Sequence, residues 1–280
     1  LFAAAIASVL TQKKLILDYR DPWSNHPNKF PKFFGKFLNR IFEQITIRIA
    51  SGAVFCSKIM MKNFICCFGL KNSFKCHVIT NGYHDIEKAL KAEKINQYKK
   101  TMLFAGNLYG GRNIGIIADA INQLKFEAII NRRNFDFIIF GKTKNNDLKI
   151  IKDLNLEDLI KVNKPIPYQE VLKYMKGADI LFLPSANEVK YAIPYKIFDY
   201  MMVKKPIMAV APKDSAVADI VTQIPQGYFC PIDNSQKIYG TLKKLLMGEA
   251  KYAVNLNDKY TWKQISTKYM SIIERLPLNE

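Results

Sequence analysis

Histidine is nearly missing from this 280-residue sequence: His26, His77 and His84 are the only three. They show no H-E-x-x-H or related spacing, so no metal centre is expected. The five cysteines, Cys56, Cys66, Cys67, Cys76 and Cys230, contain no C-x-x-C pair, and their number is odd. Neither a zinc site nor a disulfide framework follows from them. Buried free thiols in a reducing compartment are the expectation. No apolar run reaches the roughly 18 residues of a membrane-spanning helix. Leu1–Leu10 is apolar, but short and without a basic flank, so it reads as a helix of a longer protein rather than a signal peptide. No internal repeat is visible. Acid is scarce: 24 Asp+Glu stand against 42 Lys+Arg, a formal net charge of +18. Such a surface favours anionic partners, although a Lys-, Ile- and Asn-rich coding bias produces the same excess.

What is present is the material of a globular core. Hydrophobic residues make up 49% and aromatics 12%, enough for one large domain or two small ones. Leu15–Leu17 reads as a buried strand that ends in Asp18-Tyr19-Arg20-Asp21-Pro22-Trp23. Lys29–Ala50 is amphipathic and basic, with Phe30, Phe34, Phe37, Leu38, Ile41 and Ile45 at helical spacing. Ala53–Cys56 and Val78–Ile79 read as strands, the second closing on an Asn81-Gly82 turn. Glu87–Lys100 is polar and Lys-rich, a linker that is helical in part. Beyond it apolar strands at 102–105, 135–140, 160–162, 180–183 and 207–210 alternate with helical segments at 114–124, 148–154, 168–176, 196–203 and 216–222. That alternation predicts α/β architecture, a parallel sheet covered on both faces by right-handed crossovers. A polar loop, 255–259, precedes a final helix over 262–275.

Three segments carry chemistry. Phe104 to Arg112, FAGNLYGGR, runs from a strand through Gly106, Asn107 and Gly111 to a cation before a helix. Glycines admit a phosphate close to the backbone, while the helix start and Arg112 supply positive charge. A tight strand-to-helix turn with a surface Arg is the plain alternative. The spacing is not G-x-G-x-x-G, which gives NAD little support. In Tyr191 to Tyr200, YAIPYKIFDY, Pro194 suits a first helical turn. Lys196 would face an anion there, and Asp199 would lie on the face of Tyr195 and Lys196, within reach of ribose hydroxyls. An exposed Lys–Asp pair on an ordinary helix is the alternative. In Ala211 to Ala216, Asp214 or Ser215 caps a helix or hydrogen-bonds a ligand.

Seven segments in order, "LDYRDPW", "VITNGYHD", "LFAGNLYGGRN", "FIIFG", "YQEVLKYMKGADILFLPS", "IPYKIFDYMMVKKPIMAVAPKDS" and "YTWKQIS", resemble glycosyltransferase family 4 over nearly the whole chain, Leu15 to Arg275. The resemblance implies the GT-B fold, two Rossmann-like domains with the N-terminal one truncated. Residues 1–95 would be part of the acceptor domain with its linker. Residues 96–260 would bind a nucleotide diphosphate-sugar, and 261–280 would be a helix crossing back to the first domain. It further implies a hexosyltransferase-like transfer with retention and no metal or other cofactor, in which cations and a helix start stabilise the leaving diphosphate. Arg112 matches the Lys of the family's phosphate-binding pair. Asp199 matches the second Glu of its paired-Glu motif, and Asp21, beside Arg20, lies where many members carry a catalytic acceptor-side group.

The departures are specific. Asn107 stands where the phosphate-binding Arg is common, and Tyr191 where the first Glu is expected, with Glu188 nearby as a substitute. This pattern is similar to a subgroup acting in surface-polysaccharide synthesis, in which P-x-K-x-x-(E/D)-Y is usual. The donor contacts implied are then Gly106, Asn107, Gly111, Arg112, Glu188, Pro194, Tyr195, Lys196, Asp199 and Ser215. A glycan or lipid-linked acceptor is the implied partner, and the cytoplasm, at the inner face of the plasma membrane, the implied location. The basic stretch Lys29–Arg48 either meets an anionic membrane surface or packs its Phe-rich face inward. A non-catalytic nucleotide-sugar-binding remnant is the alternative function. Nucleic acid is not an expected partner, because the aromatics fall at core-periodic positions.

Overall fold

A computed structural model describes residues 2–24, 33–69, 75–84, 86, 89, 91–108, 111–249 and 258–276, with backbone only at 33, 34 and 258. His26, Lys29, Phe30, Tyr109, Gly110 and the loop before residue 258 lie outside the described residues. The chain forms two compact units. Residues 1–82, 191–193 and 258–280 make unit 1; residues 83–190 and 194–257 make unit 2.

Unit 1 begins with α1 (Phe2–Thr11), β1 (Ile16–Tyr19), α2 (Phe33–Ile49), β2 (Gly52–Phe55), α3 (Lys58–Phe68) and β3 (Cys76–Val78). The three strands form a parallel sheet in the order β1-β2-β3. Ser57 starts α3 by accepting the Met60 N–H at 3.0 Å, and Gly69 ends it at φ +58°, where a residue without Cβ is favoured. Leu17, Tyr19, Phe55, Met60 and Phe64 form a core between this sheet and α2 and α3. Val54 and Ile79 pack instead on Ile265, Ile272 and Leu276.

Unit 2 runs β4 (Lys100–Ala105), α4 (Gly115–Phe126), β5 (Phe135–Phe140), α5 (Asn145–Asp153), β6 (Ile160–Asn163), α6 (Tyr168–Gly177), β7 (Ile180–Pro184), α7 (Lys196–Met202), β8 (Ile207–Ala211), α8 (Ala216–Val221), β9 (Gly227–Pro231) and α9 (Ser235–Leu246). Its six parallel strands stand in the order β6-β5-β4-β7-β8-β9. That is the doubly wound 3-2-1-4-5-6 arrangement, which opens a crevice where the order reverses, here between β4 and β7. Phe104, Phe137 and Phe182 meet edge to face in the core under α4 and α9. The last helix, α10 (Trp262–Arg275), capped by Thr261, belongs to unit 1.

Several boundaries differ from the sequence reading. The units divide after Gly82 rather than after residue 95. The reason is visible in the linker, which is extended along α6: Glu93 N–H donates to Lys173 O at 3.1 Å, and Tyr174 Oη to Glu93 Oε1 at 3.0 Å. The described part of 87–99 contains no α-helix. Strand β9 and helix α9 have no counterpart in the reading. Pro194 stands outside α7, which opens at Lys196; the Pro194 carbonyl accepts the Ile197 N–H at 3.1 Å.

Candidate functional site

Strands β4 and β7 pair only at Met102↔Ile180 and Leu103↔Leu181. Beyond that they part, and Tyr200 of α7 fills the split. Its hydroxyl donates to Phe182 O at 3.1 Å and accepts the Ala105 N–H at 3.4 Å. Two strand ends are thereby satisfied without closing the crevice, which is what buried backbone groups require. The sequence reading named Asp199 and passed over this neighbour.

The loop after β4 is built around Gly106. Its φ of +146° is strained for any side chain, and an added Cβ would collide with Lys196 Nζ. Gly106 N–H bonds to Phe140 O at 2.8 Å, and Asn107 Oδ1 accepts the Lys142 N–H at 2.8 Å. Asn107 thus ties this loop to the one after β5. Asp147, buried at 1% exposure, accepts two backbone N–H groups, Ile114 at 2.8 Å and Lys144 at 2.9 Å. One carboxylate therefore fixes the start of α4, just past Arg112, and the start of α5. The bond at α5 is local, three residues away, but no spacing announces the one to Ile114, 33 residues away.

Lys196 extends across this floor. Its Nζ lies 4.3 Å from the centre of the Phe104 ring and against Gly106. Burial, then the Arg112 charge, lowers its pKa to about 8, with Asp199 pulling the other way. Glu188 lies on the Gly111 side: an added Cβ there would stand 2.5 Å from Glu188 Oε2. Asp199 is buried at 5% exposure and accepts from Tyr168 Oη at 2.7 Å. Burial raises its pKa to about 6, against the Tyr168 hydrogen bond and the Lys196 charge. The exposed Lys–Asp pair of the plain reading is therefore replaced by two half-desolvated charges. Ser185, at the end of β7, is buried, and its hydroxyl has no partner among the described residues.

Gly106, Gly111, Arg112, Glu188, Lys196 and Asp199 thus come together at the switch point, with Asn107 supporting the loop. Tyr195, 45% exposed, precedes α7. Ser215 falls to the capping reading. At 1% exposure its hydroxyl accepts the Ala218 N–H at 3.2 Å and donates to Pro212 O at 2.6 Å, so its one proton is already used. Asp214 pairs with Lys190 at 2.9 Å on the surface.

Asp21 and Arg20 belong to unit 1, just past β1. Asp21 is exposed, and its charge raises the pKa of Tyr191 after burial has done so. Arg20 is committed to structure: Nε and Nη2 each meet Asp18 at 2.8 Å, and Nη1 donates to Asn81 Oδ1 at 3.2 Å and Ile79 O at 3.3 Å. Among the described residues there is no His/Cys/Asp/Glu cluster able to hold a metal. No helix among them is long and apolar enough to cross a membrane.

A doubly wound sheet with cations at its switch point is a nucleotide-binding architecture. The chain belongs to the family described as Glycosyl transferases group 1, whose model matches residues 99–247. It is 24% identical over 189 residues to the amylovoran biosynthesis glycosyltransferase AmsK of Erwinia amylovora, a match that covers 62% of this chain and 44% of that protein. The chain therefore spans less than half the length of this relative. Among solved structures, a UDP-forming α,α-trehalose-phosphate synthase from Burkholderia xenovorans aligns over 98% of this chain and 71% of its own, with TM-score 0.65 and 10% identity. WaaG, a glycosyltransferase involved in lipopolysaccharide biosynthesis, aligns over 95% and 73%, with TM-score 0.59 and 12% identity. The fold is GT-B.

Proposed function

We propose that the chain is the donor-binding part, with a portion of the acceptor part, of a glycosyltransferase that moves a sugar from a nucleotide diphosphate-sugar to a glycan or lipid-linked acceptor. The observation that carries this reading is the Lys196 ammonium held against Gly106 with Arg112 as its charged neighbour. Two partly desolvated cations beside side-chain-free backbone match a diphosphate. In the transfer, the acceptor oxygen bonds to the anomeric carbon as the bond from that carbon to the phosphate oxygen breaks. The diphosphate leaves with the electron pair, and Lys196 and Arg112 stabilise its growing charge. Asp199 meets the ribose hydroxyls, its other oxygen steadied by Tyr168. Glu188 replaces the first acid of the family's pair and orients the sugar. Asp21 takes the acceptor proton, and Arg20 acts as a positioning residue for its loop. Transfer with retention and without a metal follows the family resemblance.

AmsK and WaaG, by name, act in amylovoran and lipopolysaccharide biosynthesis, and a surface-polysaccharide setting is proposed here, at the cytoplasmic face of a membrane. Helix α2 supports this: Phe37, Ile41, Phe42 and Ile45 are exposed beside Lys36, Arg40 and Arg48. A thermal-shift panel of nucleoside diphosphates tests the donor reading. A ligand at 100 times its Kd stabilises the fold by about 2.7 kcal/mol; no shift with any of them contradicts the reading.

A further inference from the structure

The amino end of the unit 2 sheet lies opposite the switch point, which sits at the carboxyl ends of the strands. Strands β5, β4, β7 and β8 are neighbours there, and each opens on a cation or follows one. Arg132 and Arg133 come before β5, Lys100 begins β4, Lys176 is in the last turn of α6 ahead of β7, and Lys205 comes before β8. At ~4.8 Å per strand these ends span roughly 15 Å. The linker adds Lys94. An added Cβ on Gly177 would stand 3.0 Å from the Lys94 backbone nitrogen, so the linker runs against the end of α6 and sets Lys94 near Lys176. These charges are close enough to act on one another. Burial lowers the Lys205 pKa; Asp179 opposes that shift, and the Lys94, Lys176 and Lys100 charges each deepen it. Asp179 already accepts the Thr101 N–H at 2.9 Å and meets Lys100 at 3.4 Å. Neighbouring acids have lysines of their own: Asp136 meets Lys99 at 3.0 Å, and Glu127 meets Lys243 at 3.1 Å. The cationic excess stops at β6, where Asp153, Glu157 and Asp158 come before the strand.

Two rings share this end. Tyr98 leads into β4, and Phe126 closes α4, which runs back from the carboxyl end of β4 to the amino end of β5. Both are 91% exposed, and no large apolar side chain among the described residues is more so. Lysines alone are what any solvated face carries. Like charges held together beside exposed rings suit an acidic lipid interface, whose negative potential draws the cations and whose headgroup boundary takes the rings. A row of strand ends also meets a plane more readily than it encloses a strand of nucleic acid.

We infer that the amino end of the unit 2 sheet docks on an anionic lipid surface, with Lys94, Lys176 and Arg132 meeting headgroup phosphates and Tyr98 and Phe126 entering the interface. This face is separate from α2, and the inference does not use the donor reading. The test is co-sedimentation of the chain with phosphatidylcholine vesicles, with and without phosphatidylglycerol. Binding is expected only with the acidic lipid. Lys94→Gln combined with Arg132→Gln weakens it roughly 25-fold, about fivefold for each ~1 kcal/mol contact, and lowers its salt dependence. Tyr98→Ser combined with Phe126→Ser weakens it at unchanged salt dependence. All four residues are exposed, so the thermal midpoint and the nucleoside-diphosphate shift stay as in the parent chain. Lys36→Gln on α2 is measured alongside. Loss in the unit 2 variants supports this docking; if Lys36→Gln has no effect, only the α2 reading falls. Loss with Lys36→Gln alone, or no binding to either vesicle, overturns the inference. Capture of single-stranded polyuridylate in place of vesicles overturns it too, and makes the face a nucleic-acid surface.

Discussion

Lys196 shows what a binding site costs its fold. Its pKa, about 8 against a usual 10.5, means folding favours the neutral amine. A depressed lysine contributes fully above pH 10.5 and loses that contribution as pH falls through 8, so at neutral pH the charged group is a burden. Lys196→Met is therefore expected to raise stability at pH 7 by roughly 1–3 kcal/mol, measured by denaturant unfolding. The same change weakens the response to nucleoside diphosphates. A bound diphosphate favours the ammonium, so affinity is greatest below pH 8 and falls above it; calorimetry in buffers of different ionisation enthalpy should detect proton uptake near pH 8. Asp199 runs the other way. Its raised pKa, about 6, gives a contribution that is full below the unfolded value of 3.8 and is lost as pH rises through 6. Asp199→Asn removes that dependence while weakening nucleotide more than inorganic pyrophosphate. Equal losses for both ligands would count against the ribose contact.

At the scale of elements, the switch point is maintained by two groups outside the ligand's reach. Tyr200 bridges the parting ends of β4 and β7, and Asp147 ties the starts of α4 and α5. Tyr200→Phe strands one buried carbonyl and one N–H, at a cost of about 1–3 kcal/mol. Asp147→Ala, which leaves two N–H groups without their charged acceptor, costs about 2–4 kcal/mol and loosens the loop that carries Arg112. Ser215→Ala separates cap from ligand contact. The cap predicts a stability loss of about 1 kcal/mol with diphosphate affinity unchanged; reduced affinity at unchanged stability contradicts it. Much of this scale was legible beforehand. Apolar runs such as 180–183 and 207–210 pointed to buried strands because they lie inside a parallel sheet, and the Gly-rich turn and the Pro-x-Lys segment pointed to each other. Strand β9 was not legible. It is an edge strand of five residues bracketed by Gly227 and Pro231, too short and half-exposed to show a period. Asp147 and Tyr200 were hidden for a different reason: each also holds a backbone N–H far along the chain, 33 and 95 residues away, and no local pattern encodes such a bond.

For the molecule as a whole, the +18 charge acts at two depths. Surface cations, such as those on α2, are screened beyond a Debye length of about 8 Å at physiological ionic strength. Binding to anionic vesicles, read by co-sedimentation, should therefore collapse as salt rises. The cations at the switch point are partly desolvated and should hold diphosphate with far less salt dependence. A vesicle interaction that ignores both salt and acidic lipid would remove the membrane reading of α2. Composition alone could not separate these depths, because Lys196 and Lys36 count equally in a net charge; their surroundings distinguish them.

The most direct test is calorimetry of a nucleoside diphosphate with the parent chain, Arg112→Ala and Lys196→Ala. The account predicts that each substitution weakens binding roughly 10–100-fold, the ~1.5–3 kcal/mol of a charge-assisted hydrogen bond, and that the paired change is less than additive because the two cations share one anion. Affinity unchanged in both variants would contradict it.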